Sequence, residues 1–254
     1  MFKQAIAKRI GKSFVGGLTT SDLGVPDYTT AEDQHAAYIR ALKTCGVEVT
    51  LLEASESFPD STFVEDTAVI TKACIVITNP GAPSRNGETS HIERVLKQED
   101  RPLEHIQAPG RLDGGDVLQV DNHFYVGLSE RTDRTGAEQL LTILGKYGYN
   151  GTIIPLDVFF HLKTGISYLG EGNILVAGEF INNAHFSHLN QITVPDEEHY
   201  AANCIRVNDY VILPKGYRKT KEKIEHAGYE TIEVEMSEFR KQDAVSAAFR
   251  FAIS

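Results

Sequence analysis

One supersecondary pattern returns five times along this chain of 254 residues. That recurrence restricts the fold more than any other feature. Glu65-Asp66 lies in FVEDTAVI, Asp113 in RLDGGDVLQV, His161 in HLKTGISYL, Asn203 in YAANCIRVN and Ala247 in AVSAAFRF. Counted from Asp66, these points follow one another at 47, 48, 42 and 44 residues. At each one, polar or small residues lead into a short apolar strand, and a second strand follows. Near-regular repetition of a unit of roughly 20–50 residues is the mark of repeat and propeller architectures. Five such units that close on themselves would aim their polar strand ends at one centre.

The stretches between these points carry the remaining elements. Strands are predicted at 2–9, 47–53, 73–78, 123–128, 151–156, 173–178, 191–195, 229–235 and 246–254, with a hairpin at 204–214 turning at Asn208-Asp209. Helical spacing runs from Thr30 to Cys45 with Thr29 or Thr30 as cap, from Glu88 to Gln98, from Arg131 to Tyr147 behind a Ser129 cap, and over 218–227 before Gly228. No linker or low-complexity run divides the units, so a single α/β domain over 1–254 is expected.

A net charge of −10 argues against non-specific nucleic-acid binding, which needs clustered positive charge. No apolar run approaches the ~18 residues of a membrane span. The basic start, MFKQAIAKRIGKSFVGGL, lacks the apolar core of a secretory signal. Three scattered cysteines, Cys45, Cys74 and Cys204, make no disulfide framework, so a reduced, cytoplasmic setting is the default expectation.

The candidate chemistry gathers around the repeat points. Asp60, Glu65 and Asp66 fall within seven positions beside apolar Phe63-Val64 and Ala68-Val69-Ile70. Burying carboxylates there is costly unless a cation meets them. On a strand, Glu65 and Asp66 would face opposite sides. Asp113 and Asp116 are split by Gly114-Gly115, which lets the backbone approach a partner closely. Arg85 sits in the turn-rich loop PGAPSRNG, and Arg131 falls in a first helical turn where the dipole disfavours it, which points to another reason for it, such as binding an anion. The glycine-flanked segment Gly16–Pro26 reads equally as a lid and as an ordinary connection. His185-x-x-His188 lacks further ligands at metal spacing, and neither GxGxxG nor Walker spacing is present.

Taken in order, GLTTSDLGVPDY, FPDSTFVEDTAV, PGAPSRNGE, LDGGDV, SERT, HLKTG and YAANCIRVN resemble the dimethylarginine dimethylaminohydrolase (dimethylargininase) family. That family belongs to the guanidine-modifying pentein superfamily, and the resemblance covers nearly the whole chain. It implies a five-bladed α/β propeller of ββαβ units with pseudo-fivefold symmetry, and no metal or cofactor. It implies that Asp66 and Asp113, with Glu65 beside them, grip a substrate guanidinium. His161 would serve as general acid and base, Asp60 and the backbone of Leu18 would read an α-amino group, and Arg85 and Arg131 would bind an α-carboxylate. The loop at Leu18 would be the lid. The expected partner is a small arginine-like molecule, with neither nucleic acid nor membrane. Oligomeric state stays open, a homodimer included.

One departure matters. The family nucleophile is a cysteine in the last strand, whereas this chain reads Asp243-Ala244-Val245-Ser246-Ala247-Ala248. Aligned on Val-Ser, Ala247 takes that position; aligned without a gap, Ala248 does. A neutral water attacks a guanidinium carbon poorly, and a thiolate divides that hard step into two easier ones. The resemblance therefore implies a hydrolase that turns N-methylated L-arginine into L-citrulline and methylamine or dimethylamine, impaired here by the missing thiol. The competing expectation is a non-catalytic binding protein for arginine-like amino acids. A ribosome-associated interaction protein is a third, disfavoured by the carboxylates, His161 and two arginines.

Overall fold

The structure is a computed structural model that describes residues 2–243 and 251–253, the last three by their backbone. Ser246, Ala247 and Ala248 lie outside the described residues.

Short apolar runs become the strands of five three-stranded sheets. The first contains β1 (Gln4–Lys8) and β2 (Glu48–Leu52), and the second contains β3 (Ala68–Ile70), β4 (Ile75–Ile77) and β5 (Leu103–His105). Then come β6 (Val117–Val120), β7 (His123–Leu128) and β8 (Asn150–Pro155); and β9 (Ile166–Gly170), β10 (Asn173–Val176) and β11 (Asn190–Thr193). The fifth sheet holds β12 (Ile205–Val207), β13 (Tyr210–Pro214) and β14 (Glu230–Val234). β15 (Phe251–Ile253) returns to the first sheet, where Gln4 pairs with Ile253 and Ile6 with Phe251. Each sheet has one grammar: an antiparallel pair, then a parallel strand reached by a crossover. Parallel neighbours require such crossovers.

Four crossovers are helical: α1 (Tyr28–Thr44), α2 (Thr89–Leu96), α3 (Arg134–Lys146) and, ahead of β14, residues Arg218–His226. The crossover from β10 to β11 uses two 3-10 turns, Gly178–Phe180 and Ala184–Phe186, with Phe180 and Phe186 fully buried. Helix α1 buries Ala31, Tyr38, Ile39 and Leu42 in a cluster that also takes in Val207 and Ile212 of the fifth sheet. That cluster joins the last unit to the first. No helix among the described residues is long and apolar enough to cross a membrane.

Several local expectations need correction. Helix α1 begins two residues before the expected Thr30, because Asp27 caps it by accepting the Thr30 N–H at 2.8 Å. Helix α3 begins at Arg134 behind Asp133, which accepts the Gly136 N–H. Arg131 therefore precedes the helix and meets no unfavourable dipole. Glu65 and Asp66 lie in a 3-10 turn, Val64–Thr67, rather than on a strand, so the alternation argument does not apply to them.

The polar repeat points share that feature: a helical turn precedes the first strand of four units. The turns are Val64–Thr67, Gly114–Asp116, α4 (Leu162–Gly165) and Asp196–Ala202. The first packs on the second, the second on α4, and α4 on the fourth. These stacked turns form the middle of the ring and carry the candidate residues.

Candidate active site

Two glycines let the first two turns touch. A Cβ on Gly114 would lie 2.0 Å from the Glu65 carbonyl oxygen, so only glycine fits. Gly115 donates its N–H to Asp66 Oδ1 at 2.8 Å, and a Cβ there would meet both Asp66 and the His161 ring. The DGGD run thus exists for close backbone approach.

A pocket opens at this junction, lined by Leu18, Asp60, Phe63, Asp66, Arg85, Arg131, Phe160, His161, Gln242 and Asp243. Its polar groups are buried, or half-buried at Arg131 and Asp243, and ordered by their own contacts. Arg85 donates from Nη1 to Asp66 Oδ2 at 2.7 Å, from Nε and Nη2 to Glu88, and from Nη2 to the Phe63 carbonyl at 3.0 Å. Of its five N–H groups, one on Nη1 has no acceptor among the described residues. Asp60 accepts the Leu18 N–H at 3.0 Å. Arg131 stacks over the Phe160 ring at 5.1 Å, a cation–π contact that steadies its head group.

Asp113 lies behind this lining with no exposure. Its Oδ1 accepts the Gly81 N–H, and its Oδ2 has no hydrogen-bond partner among the described residues. That bare oxygen stands 4.0 Å from His161 Nε2 and 4.0 Å from Arg131 Nη1. Glu65 turns aside: its Oε1 pairs with Lys163 Nζ at 2.7 Å, and it does not line the pocket. Asn203, the fourth repeat point, is buried and does not line the pocket either.

Electrostatics follow from burial and neighbours. Burial raises the Asp113 carboxyl to about 6, and the charge of Asp66 adds to the effect. Burial also raises Asp60. At Asp66 burial opposes ionisation, but the charges of Arg85 and His161 outweigh it and hold the group below the usual range. For His161, burial disfavours the cation, yet Asp116, Asp66 and Asp113 outweigh it and lift the imidazole to about 9. The site therefore presents a protonated histidine at neutral pH.

The residue the sequence left without a role is Asp116. It was visible as half of a carboxylate pair, but no spacing argument tied it to His161, whose Nδ1 stands 3.1 Å from Asp116 Oδ2. Ligand atoms of Asp66, Asp113 and His161 also lie within 4.8 Å of one another. With Arg85 already on Asp66 and a proton on His161, this cluster suits an organic cation better than a metal ion.

All three cysteines are buried and none lines the pocket. Burial pushes the Cys204 thiol up to about 12, far from the thiolate a nucleophile requires.

Stacked helical turns at the middle of five ββαβ units make this a pentein fold. The N-terminal domain of ArgZ, an arginine dihydrolase from cyanobacteria, matches it with a TM-score of 0.90 at 17% identity, over 100% of this chain and 98% of that one. The family model described as N,N dimethylarginine dimethylhydrolase, eukaryotic, matches residues 27–242. The N(G),N(G)-dimethylarginine dimethylaminohydrolase of Pseudomonas aeruginosa is 51% identical over 244 residues, covering 96% of each chain. A cysteine-to-serine variant of the Pseudomonas aeruginosa enzyme, complexed with citrulline, has a TM-score of 0.98 at 49% identity over 100% of both chains. The chain belongs to the dimethylarginine dimethylaminohydrolase family.

Proposed function

We propose that the pocket is the substrate site of a dimethylargininase, one that takes L-arginine methylated on its guanidine. The observation that carries this is the bare Oδ2 of Asp113, buried beside His161 Nε2. A buried carboxylate oxygen without a donor is unfavourable, and a flat, permanently charged guanidinium relieves it with N–H groups. Arg131, with the second Nη1 hydrogen of Arg85, takes the ligand's α-carboxylate. Asp60 and the Leu18 backbone take its α-amino group, and loop 17–26 serves as lid.

In the enzyme form, a thiolate adds to the guanidinium carbon. The C–N bond to the methylated nitrogen then breaks, and that nitrogen leaves as amine with the proton from His161 Nε2. Neutral His161 next removes a proton from water, which attacks the same carbon. The C–S bond breaks and the hydroxyl proton passes to solvent, releasing citrulline and restoring the thiolate.

This chain has alanine where the thiol belongs. Aligned on Val-Ser that position is Ala247, and aligned without a gap it is Ala248. The chain as written then binds its ligand and turns it over very slowly. A second reading, a binding protein without chemistry, is favoured by the absence of any cysteine from the pocket lining among the described residues. Calorimetric titration with arginine, dimethylarginine and citrulline tests the shared core of both: heats with one-site saturation are expected, and no binding of any of the three overturns both.

A further inference from the structure

Asp116 has no exposure, and it does not line the pocket. Its carboxylate nonetheless gathers three hydrogen bonds and one ion-pair contact. Oδ1 accepts the Leu162 N–H at 3.0 Å. Oδ2 accepts the hydroxyls of Ser129 and Thr132, each at 2.7 Å, and stands 3.1 Å from His161 Nδ1. A hydroxyl that donates still has lone pairs with which to accept. Ser129 Oγ uses them for the Arg131 N–H at 3.0 Å and the Thr132 N–H at 3.1 Å, and Thr132 Oγ1 for the Asp113 N–H at 3.1 Å. One carboxylate therefore reaches His161 directly, Arg131 through Ser129, and Asp113 through Thr132. A carboxylate needed only for packing would not require donors that border three separate groups of the site.

We propose that Asp116 is the positioning residue of this site. Its charge stands 3.1 Å from His161 Nδ1, which makes no hydrogen bond among the described residues, and draws that side of the ring inward so that Nε2 faces the ligand; through Ser129 and Thr132 it sets the loop that carries Arg131. The part concerning Arg131 rests on the reading that the pocket takes an arginine-like amino acid; the part concerning His161 needs no ligand. Among the described residues, the other charged groups around His161 include Asp66 on turn Val64–Thr67, Asp113 ahead of turn Gly114–Asp116, the pocket residues Asp60, Arg85, Arg131 and Asp243, and Lys163, which is paired with Glu65.

NMR titration of the His161 imidazole in the full chain tests the first part. Asp116→Asn keeps the shape and removes the charge, so the midpoint falls by about one pH unit or more. An unmoved midpoint overturns the proposal. If that variant does not fold, Thr132→Val decides. It takes one donor from Oδ2 and leaves more negative charge facing the imidazole, so the midpoint rises; no rise overturns the proposal. For the second part, Ser129→Ala should weaken arginine binding by roughly 3- to 30-fold while weakening arginine amide, which lacks the carboxylate, much less. Equal losses on both ligands overturn it. If the unaltered protein binds neither ligand, the substrate reading fails, while the imidazole titration still judges Asp116.

Discussion

Arg85 Nη1 lies 2.7 Å from Asp66 Oδ2, and both side chains are buried. The pocket is thus built around a guanidinium of its own before any ligand arrives. The same arginine holds Glu88 at 2.8 Å, so one cation serves two buried carboxylates. Arg85→Ala strands both of them. The expected loss is about 3–5 kcal/mol, the cost of leaving buried charge unpaired, read from urea unfolding. An unchanged midpoint would refute this account of the centre.

The glycine pair gives a ranking. Gly114→Ala places a Cβ 2.0 Å from the Glu65 backbone oxygen, whereas Gly115→Ala meets the Asp66 carboxylate oxygen at 2.9 Å and the His161 ring at 3.1 Å. Side chains yield more easily than backbone. Gly115→Ala should cost about 1–3 kcal/mol, the usual range for overpacking, and Gly114→Ala more. Thermal melts in the reverse order would contradict the packing of the turns.

Thermal stability should fall as pH rises from neutral through about 9. His161 is lifted from 6.5 to about 9 in the folded chain. A raised group stabilises fully below its unfolded value and loses that contribution as pH passes its folded value. Melting temperatures measured from pH 6 to 10 check this, with Asp116→Asn flattening the decline.

Ligand binding should carry the opposite dependence at acid pH. Burial raises the Asp113 carboxyl to about 6, and a cation bound beside it requires the carboxylate. Affinity for arginine should therefore drop by about tenfold per pH unit once the pH is well below that value. Calorimetry at pH 4.5 to 7.5 measures the slope; a flat profile would mean that Asp113 does not receive the guanidinium.

Ala248→Cys and, separately, Ala247→Cys should each be assayed for citrulline release from dimethylarginine. One of them should exceed the unaltered chain by up to the order of 10⁶, the scale of losing a nucleophile. Failure of both, with ligand binding intact, would favour the binding protein.

The ring could be read from the sequence because its repeat points lie 47, 48, 42 and 44 residues apart and short apolar runs have few alternatives. The turns that carry the site could not. Val64–Thr67 and α4 are single turns of helix held by tertiary contacts, and four residues carry no periodicity. For the same reason the fate of Glu65 was hidden: its partner Lys163 is almost a hundred positions away, on another unit. Asp116 looked like the twin of Asp113. Only the fold separates a carboxylate with a bare oxygen from one encircled by donors.

The pairing of Gln4 with Ile253 has a consequence for biosynthesis. A polypeptide emerging from the ribosome can assemble its middle blades as each crossover is completed, but the blade containing β1 must wait for residues 251–253. Until then an unpaired strand edge stays open, the kind of surface that recruits other chains. Nascent copies should therefore depend on chaperones until residues 251–253 have emerged and paired with β1.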